Sequence, residues 1–224
     1  MQNVFISGST KGIGNSIALN LAKKNFNLFL HGRSKSELKE LSRTIKKQSL
    51  IKIKTISADF LIEKDLKKVS KFLRKNSVDI LINNAGQYYN ANIISTPDKK
   101  LKDLFQVNFF SVFYIVKEFV KWKKDNFVII NLNSFAGKNA SKNEIAYSAT
   151  KYALRSLSMG LKQEFLGKKV KIIDLFLGAV KTRMTSKRKN FNYLIDPNDV
   201  AELISDLIVK YQSLQTSDID IFRS

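Results

Sequence analysis

Short apolar runs alternate with amphipathic stretches along the chain. The runs Gln2–Ser7, Phe26–Leu30, Ile51–Ser57, Val78–Ile82, Phe127–Leu132, Val170–Phe176 and Ile219–Phe222 predict strands. Several, such as Val128-Ile129-Ile130, are apolar at consecutive positions, which marks a strand covered on both faces. Between the runs, apolar residues recur three and four apart, as helices require. Ile13, Ile17 and Leu21 form one such set, and Leu38, Leu41 and Ile45 form the next, with Ser34 placed as its N-cap. Leu66, Val69, Phe72 and Leu73 follow, and a helix from about Asp98 carries Leu101, Leu104 and Phe105 and runs on through Val116. Two more hold Tyr147, Leu154, Leu157 and Leu161, and the Val200–Leu207 region. Strands alternating with helices imply right-handed crossovers, so the expected fold is α/β: a doubly wound parallel sheet of about seven strands with helices on both faces.

Composition narrows the picture to one domain over residues 1–224. Hydrophobic residues make up 44% of the 224, and only Pro97 and Pro197 interrupt the chain, with no Gly/Ser-rich linker. Cysteine is absent, which excludes disulfides and thiolate metal sites and fits a reducing cytosol. His31 is the only histidine, so a histidine-rich metal site or a Ser-His-Asp triad elsewhere is hard to build, and no metal is expected. No apolar run approaches the roughly 20 residues that span a bilayer. Met1-Gln2-Asn3 enters a strand directly and leaves no room for a signal peptide, so a cytoplasmic protein without a membrane partner is expected. The net charge of +20 is spread through nearly every predicted helix rather than gathered in one stripe. Such general basicity reports solubility before function, so no nucleic-acid partner is expected. The tightest basic run, Lys187-Arg188-Lys189, falls in a loop.

In a doubly wound sheet, ligands bind outside the carboxyl ends of the strands, and the chemistry-bearing motifs all fall there. After the first strand comes Ser7-Gly8-Ser9-Thr10-Lys11-Gly12-Ile13-Gly14. Its glycines permit a tight turn, close approach of backbone to a pyrophosphate, and close helix–sheet packing, while the following helix start points amides at phosphate. After the second strand, Leu30-His31-Gly32-Arg33-Ser34 lacks the carboxylate that would hold a ribose 2′-hydroxyl. Arg33 can instead pair with a 2′-phosphate, and Lys11 adds a second positive charge, so the residues favour NADP(H) over NAD(H). His31 itself reads as structural rather than catalytic. Asp59, before Phe60, is placed either to accept from an adenine amino group or to cap the next helix. Asn83-Asn84-Ala85-Gly86 follows the fourth strand and lets backbone run close to ribose and nicotinamide.

Ser134 follows the fifth strand, and Tyr147 and Lys151 stand 13 and 17 residues further on. Four apart on a helix, Tyr147 and Lys151 share a face. A phenol titrates near pH 10 and is a poor acid–base at neutrality, but a neighbouring ammonium favours its phenolate. Ser134 can hydrogen-bond a substrate oxygen on which charge develops.

With Gly8-x-x-x-Gly12-x-Gly14, Asp59, Asn83-Asn84-Ala85-Gly86, Asn108, Ser134, Tyr147-x-x-x-Lys151 and Thr182 in that order, the chain resembles the short-chain dehydrogenase/reductase family from Ser7 to at least Val200. The resemblance implies a Rossmann-like domain with a short substrate lid near 183–196, and hydride transfer between nicotinamide and a carbonyl or secondary alcohol. It implies that Ser134 and Tyr147 contact substrate, that Lys151 also binds the nicotinamide ribose, and that Asn108 holds a water linking Lys151 to solvent. Cofactor contacts implied are Gly8, Ser9, Thr10, Lys11, Gly12, Ile13, Gly14, Arg33, Ser34, Asp59, Phe60, Asn84, Ala85, Gly86, Tyr147 and Lys151, with Gly178, Val180 and Thr182 toward the nicotinamide. It further implies a homodimer or homotetramer packing through the helices of Asn108 and Tyr147, with Phe109, Phe110, Phe113 and Tyr114 as an apolar outer face.

Three positions depart from the family pattern. Ser7 replaces threonine and keeps the hydroxyl; Leu177 replaces proline before Gly178, which loosens the adjoining loop; and the segment Thr182 to Asp196 is short. Met184, Phe191 and Tyr193 in that segment are either an apolar pocket wall or residues packed down on the sheet. The competing readings are a 3-oxoacyl-carrier-protein reductase docking its acidic partner on Lys187, Arg188 and Lys189, a dinucleotide-binding regulator without turnover, and charge-driven nucleic-acid binding. The complete Asn108, Ser134, Tyr147 and Lys151 set speaks against the second of these.

Overall fold

The computed structural model describes residues 1–210 and 218–223.

 Residues 211–217 and 224, within the expected domain bounds of 1–224, lie outside the described residues. Arg223 donates from its guanidinium to the carbonyls of Leu194 and Asn192.

Seven strands form one sheet: β1 Asn3–Ile6, β2 Asn27–Gly32, β3 Ile53–Ser57, β4 Ile80–Asn83, β5 Phe127–Ser134, β6 Val170–Leu177 and β7 Asp218–Ile221. Their order is β3-β2-β1-β4-β5-β6-β7, and every pair is parallel. The order reverses between β1 and β4, which opens a crevice at the carboxyl ends of those strands. The helices are α1 Gly12–Lys23, α2 Lys35–Lys46, α3 Glu63–Lys75, α4 Asp98–Phe105, α5 Ser111–Trp122, α6 Ile145–Glu164 and α7 Pro197–Val209. Two apolar layers result. Ile6, Ile82, Ile130 and Ile173 face α1, α2 and α7, with Ile17, Leu38 and Ile204 among their partners. Phe5, Phe29, Ile129 and Ile172 face the other way, toward Val69, Ile115 and Leu154 of α3, α5 and α6. Ser34 caps α2 as the sequence predicts, its hydroxyl accepting from the Glu37 amide at 3.3 Å.

The helix expected to run from Asp98 through Val116 is interrupted. Gln106–Phe110 forms a π-helical turn between α4 and α5, where one backbone step is added without breaking the run. The side chains account for it: the Ser111 hydroxyl donates to the Val107 carbonyl at 2.7 Å, and Asn108 bonds the Gln87 backbone instead of facing solvent.

One row of the sheet is polar. Asn83, Asn131, Asp174 and Asp218 share a register on β4, β5, β6 and β7 and face α6. Asn83 donates to Asn131 at 2.8 Å, Asn131 to the Ser158 hydroxyl of α6 at 2.9 Å, and Ser158 to Asp174 at 2.9 Å. Asp174 is fully buried, and that burial pushes its carboxyl up to about 6. Lys162, one turn beyond Ser158, closes the row with a 2.8 Å ion pair to Asp218.

Candidate active site

At the carboxyl ends of the strands lies a cavity of about 780 Å³. Its nucleotide end is shaped by backbone. Gly8 and Gly12 have φ of 65° and 53°, in the left-handed region that glycine enters without strain. A Cβ on Gly14 would stand 2.3 Å from the Gly8 carbonyl oxygen and 2.5 Å from Asn84 Nδ2, so α1 starts in direct contact with the turn. Lys11 at the helix start makes no side-chain cap, so no side chain shields those first amides. The Ser7 hydroxyl accepts from the amides of Asn84 and Ala85, both at 2.9 Å, and ties the β4 loop to the turn.

His31 underlies this end. Its Nδ1 takes the Gly8 amide N–H at 3.2 Å, and its Nε2 meets the Ala58 carbonyl at 3.1 Å. An amide only donates and a carbonyl only accepts, so the proton sits on Nε2 and the ring is neutral. Burial drives its pKa down to about 4, and Phe60 stacks on it at 4.2 Å. The ring is structural, as the sequence implies.

Of the residues expected to hold a dinucleotide, Gly8, Thr10, Lys11, Gly12, Ile13, Arg33, Asp59, Phe60, Asn84, Ala85, Gly86, Gly178, Val180 and Thr182 line the cavity. Ser9, Gly14 and Ser34 are not among the lining residues. Ser9 is fully buried and donates its hydroxyl to the His31 carbonyl, and Ser34 is spent on its cap. Asp59 accepts from the Leu61 amide at 3.0 Å, the local turn role that competes with an adenine contact. Sequence reasoning missed Glu37, which pairs with Lys11 at 2.6 Å. Its only signal was its position in the first turn of α2, three residues after Ser34. Lys11 is therefore shared between an acid and any bound phosphate, while Arg33 makes no salt bridge among the described residues and feels Glu37 only through longer-range charge. The glycine cradle, the open amides and Arg33 fit a dinucleotide.

At the other end, Ser134, Tyr147 and Lys151 line one wall. Burial pushes the Tyr147 phenol up to about 12, opposed by the Ser134 hydroxyl bonded to it. Burial pushes Lys151 down to about 8, and the charge of Asp174 resists. The Lys151 ammonium donates to the Leu132 carbonyl at 2.8 Å and lies 5.8 Å from the Tyr147 ring centre. Lys151, Ser158 and Lys162 form one stripe of α6, so the helix is pinned to the sheet along its length. Asn108 does not line the cavity. Its amide donates to Gln87 O at 2.9 Å and to Thr150 Oγ1 at 3.0 Å, and its Oδ1 accepts from the Gln87 amide at 2.7 Å. It thus meets the neighbour of Lys151, not Lys151.

Three further side chains at this end lie far apart in sequence. Tyr88 sets its ring edge-on to Tyr147, 5.1 Å between centres, and donates its hydroxyl to Glu144 at 2.5 Å. Arg188 approaches the same carboxylate at 3.7 Å. Met184 joins the lining, whereas Phe191 stacks on Lys181 and Tyr193 is 74% exposed. Leu177 is buried and continues β6 into pairing with Ile221 and Ser134, so the strand runs on where a looser loop was expected. Phe110 and Phe113 stay exposed, while partly buried Tyr114 packs against the core. Among the described residues no helix is long and apolar enough to cross a membrane, and no cluster of acidic or histidine side chains could hold a metal.

A family model described as short chain dehydrogenase matches residues 2–192. An uncharacterized oxidoreductase of Staphylococcus aureus strain MW2 is 25% identical over 96% of this chain and 94% of its own length. A very-long-chain 3-oxoacyl-CoA reductase of Rattus norvegicus is 28% identical over 82% of this chain and 61% of its own. Among solved structures, an alcohol dehydrogenase from the archaeon Thermococcus sibiricus, complexed with 5-hydroxy-NADP, superposes with a TM-score of 0.91. It is 22% identical and covers 100% of this chain and 97% of its own. A metagenomic short-chain oxidoreductase in complex with NADP superposes at 0.86 with 21% identity, over 100% of this chain and 97% of its own.

Proposed function

Because the chain belongs to the short chain dehydrogenase family of oxidoreductases, we propose that it is an NADP(H)-dependent enzyme that interconverts a small carbonyl compound and its secondary alcohol. The observation that carries this reading is the meeting of Ser134, Tyr147 and Lys151 on one wall of a cavity whose far end is a glycine cradle.

The nicotinamide supplies or accepts the hydride when bound. Arg33 would pair with a 2′-phosphate on the adenosine ribose, which favours NADP(H) over NAD(H). The amides of Gly12 and Ile13, at the uncapped start of α1, would hold the pyrophosphate. Tyr147 holds its proton across neutral pH and so donates it to the substrate oxygen during reduction, while Ser134 holds that oxygen. Lys151, charged below about pH 8, favours the phenolate that remains. Asn108 positions Thr150 and the Gln87 backbone, and thereby the segment beside Lys151. The family resemblance and the exposed Phe110 and Phe113 support a homodimer or homotetramer, whose mass light scattering reads. The absence of cysteine supports a cytoplasmic location.

The test is NADPH oxidation against a panel of ketones, oxo acids, sugars and acyl thioesters. Tyr147→Phe should lower kcat/KM by about 1,000-fold while NADPH still binds. A Tyr147→Phe protein with wild-type turnover rules the mechanism out. The likeness to a 3-oxoacyl-CoA reductase favours one second reading, a 3-oxoacyl thioester as substrate, and the thioester arm of the panel separates it.

A further inference from the structure

The substrate end of the cavity has a charge pattern that the reaction itself does not need. The segment from Lys181 to Leu194 carries five cations, Lys181, Arg183, Lys187, Arg188 and Lys189, and no acid. Arg183 and Arg188 line the cavity, where the one carboxylate near them is Glu144. Over the whole lining, Lys11, Arg33, Lys151, Arg183 and Arg188 face only Asp59 and Glu144, so the cavity carries a net positive charge.

The way Glu144 is held decides what that charge is for. Its Oε1 takes the Tyr88 hydroxyl at 2.5 Å, a short bond that fixes the carboxylate without help from an arginine. Arg188 stands 3.7 Å from the same oxygen, too far for a hydrogen bond, and its side chain makes no hydrogen bond among the described residues. Its fork of donors is thus drawn to the cleft by Glu144 yet left open, with 46% of the side chain exposed. Arg183 has no acidic partner among the described residues. The charges of Glu144 and Arg188 both reach the Tyr147 phenol, so this cluster lies within electrostatic range of the reacting atoms.

A cationic substrate would meet a carboxylate already occupied by Tyr88 and a guanidinium beside it. A neutral one would leave the Arg188 guanidinium unanswered. A carboxylate accepts two parallel N–H bonds from a guanidinium and completes the arrangement. The apolar Met184, Phe135 and Phe222, which share the lining, suit a short aliphatic stem between that carboxylate and the carbonyl. We propose that Arg188, steered by the Tyr88–Glu144 pair, is the specificity-determining residue of a carboxylate subsite, and that the substrates are short oxo acids and their hydroxy acids. This rests on the oxidoreductase reading above and narrows it.

The experiment compares 2-oxobutanoate, 3-oxobutanoate and 4-oxopentanoate with their methyl esters as substrates of the NADPH-loaded protein. For at least one pair, the acid should exceed its ester in kcat/KM by about 30-fold or more, mostly through KM, as one charge-assisted pair permits. Arg188→Gln should pull that ratio toward one, and Arg188→Lys should restore part of it. A calorimetric titration with the matching hydroxy acid and its methyl ester reads the same preference without turnover. Equal handling of acid and ester by the wild-type protein in both assays overturns the subsite, and so does an unchanged ratio in Arg188→Gln. Absence of all turnover, with the hydroxy acid still bound in preference to its ester, counts against the oxidoreductase reading and leaves the subsite standing.

Discussion

At the nucleotide end of the cleft the walls are backbone: the Gly8 turn, the first amides of α1 and the Asn84-Ala85-Gly86 loop, braced by Ser7 and His31. At the substrate end they are side chains, with Tyr88, Glu144 and Arg188 brought from three loops to surround Tyr147. The first kind of wall tolerates almost no added atom, because main chain touches main chain. The second is bound by hydrogen bonds and charge, so it can be rewritten one side chain at a time without disturbing the sheet. A pocket assembled this way keeps its cofactor constant and leaves its substrate adjustable.

The largest effect should come from forcing an atom into the rigid end. Gly14→Ala places its Cβ 2.3 Å from the Gly8 carbonyl, so the turn or α1 must move. We expect a loss of roughly 3 kcal/mol in a denaturant titration, together with weakened NADPH binding. Gly160→Ala, with nothing within 4 Å of the added Cβ, serves as the control and should be neutral or slightly stabilising. If the two variants melt alike, the rigid end is not rigid. Next in size is Arg33→Asp, which swaps attraction for repulsion at a 2′-phosphate. It should shift the NADPH-to-NADH ratio of kcat/KM by about 100-fold toward NADH, and an unmoved ratio removes Arg33 from cofactor choice.

The smallest effect is acid sensitivity at the nucleotide end. His31 is neutral in the fold, with its pKa lowered from 6.5 to about 4. Its contribution to stability is present above pH 6.5 and is lost as the pH falls toward 4. Asp174 works in the opposite sense, its pKa being raised from 3.8 to about 6, so its contribution is full below 3.8 and fades as the pH rises through 6. Comparing His31→Gln with the wild-type protein cancels the Asp174 part. The difference in melting temperature between the two should shrink from pH 7 to pH 4; a constant gap would leave His31 without a titrating role.

The rigid end was the more legible from sequence, and for the same reason that it is rigid. Glycine at a left-handed or crowded position leaves a local mark, so Gly8, Gly12 and Gly14 could be read directly, as could the strand–helix alternation and the Ser34 cap. Tyr147 and Lys151 were readable because a helix fixes their spacing. The Lys11–Glu37 pair, Asn108 turning toward Thr150, and the meeting of Tyr88, Glu144 and Arg188 were not. Each joins segments whose separation only the folded sheet sets. The π-helical turn was hidden because Gln106–Phe110 keeps the apolar periodicity of a plain helix while its hydrogen bonds shift by one.

The polar row beneath α6 bears on how the sheet finds its alignment. Parallel strands of uniform apolar residues could pair in several frames at little cost, since each frame buries similar side chains. Sliding β6 by one residue turns Asp174 toward the apolar layer of Ile204 and Leu207 and leaves the Ser158 hydroxyl without its carboxylate acceptor. An unpaired carboxyl in that layer costs several times what one apolar contact returns. The row therefore works as an index mark, rejecting misaligned sheets and fixing α6, with Tyr147 and Lys151 upon it, at a single height above the strands.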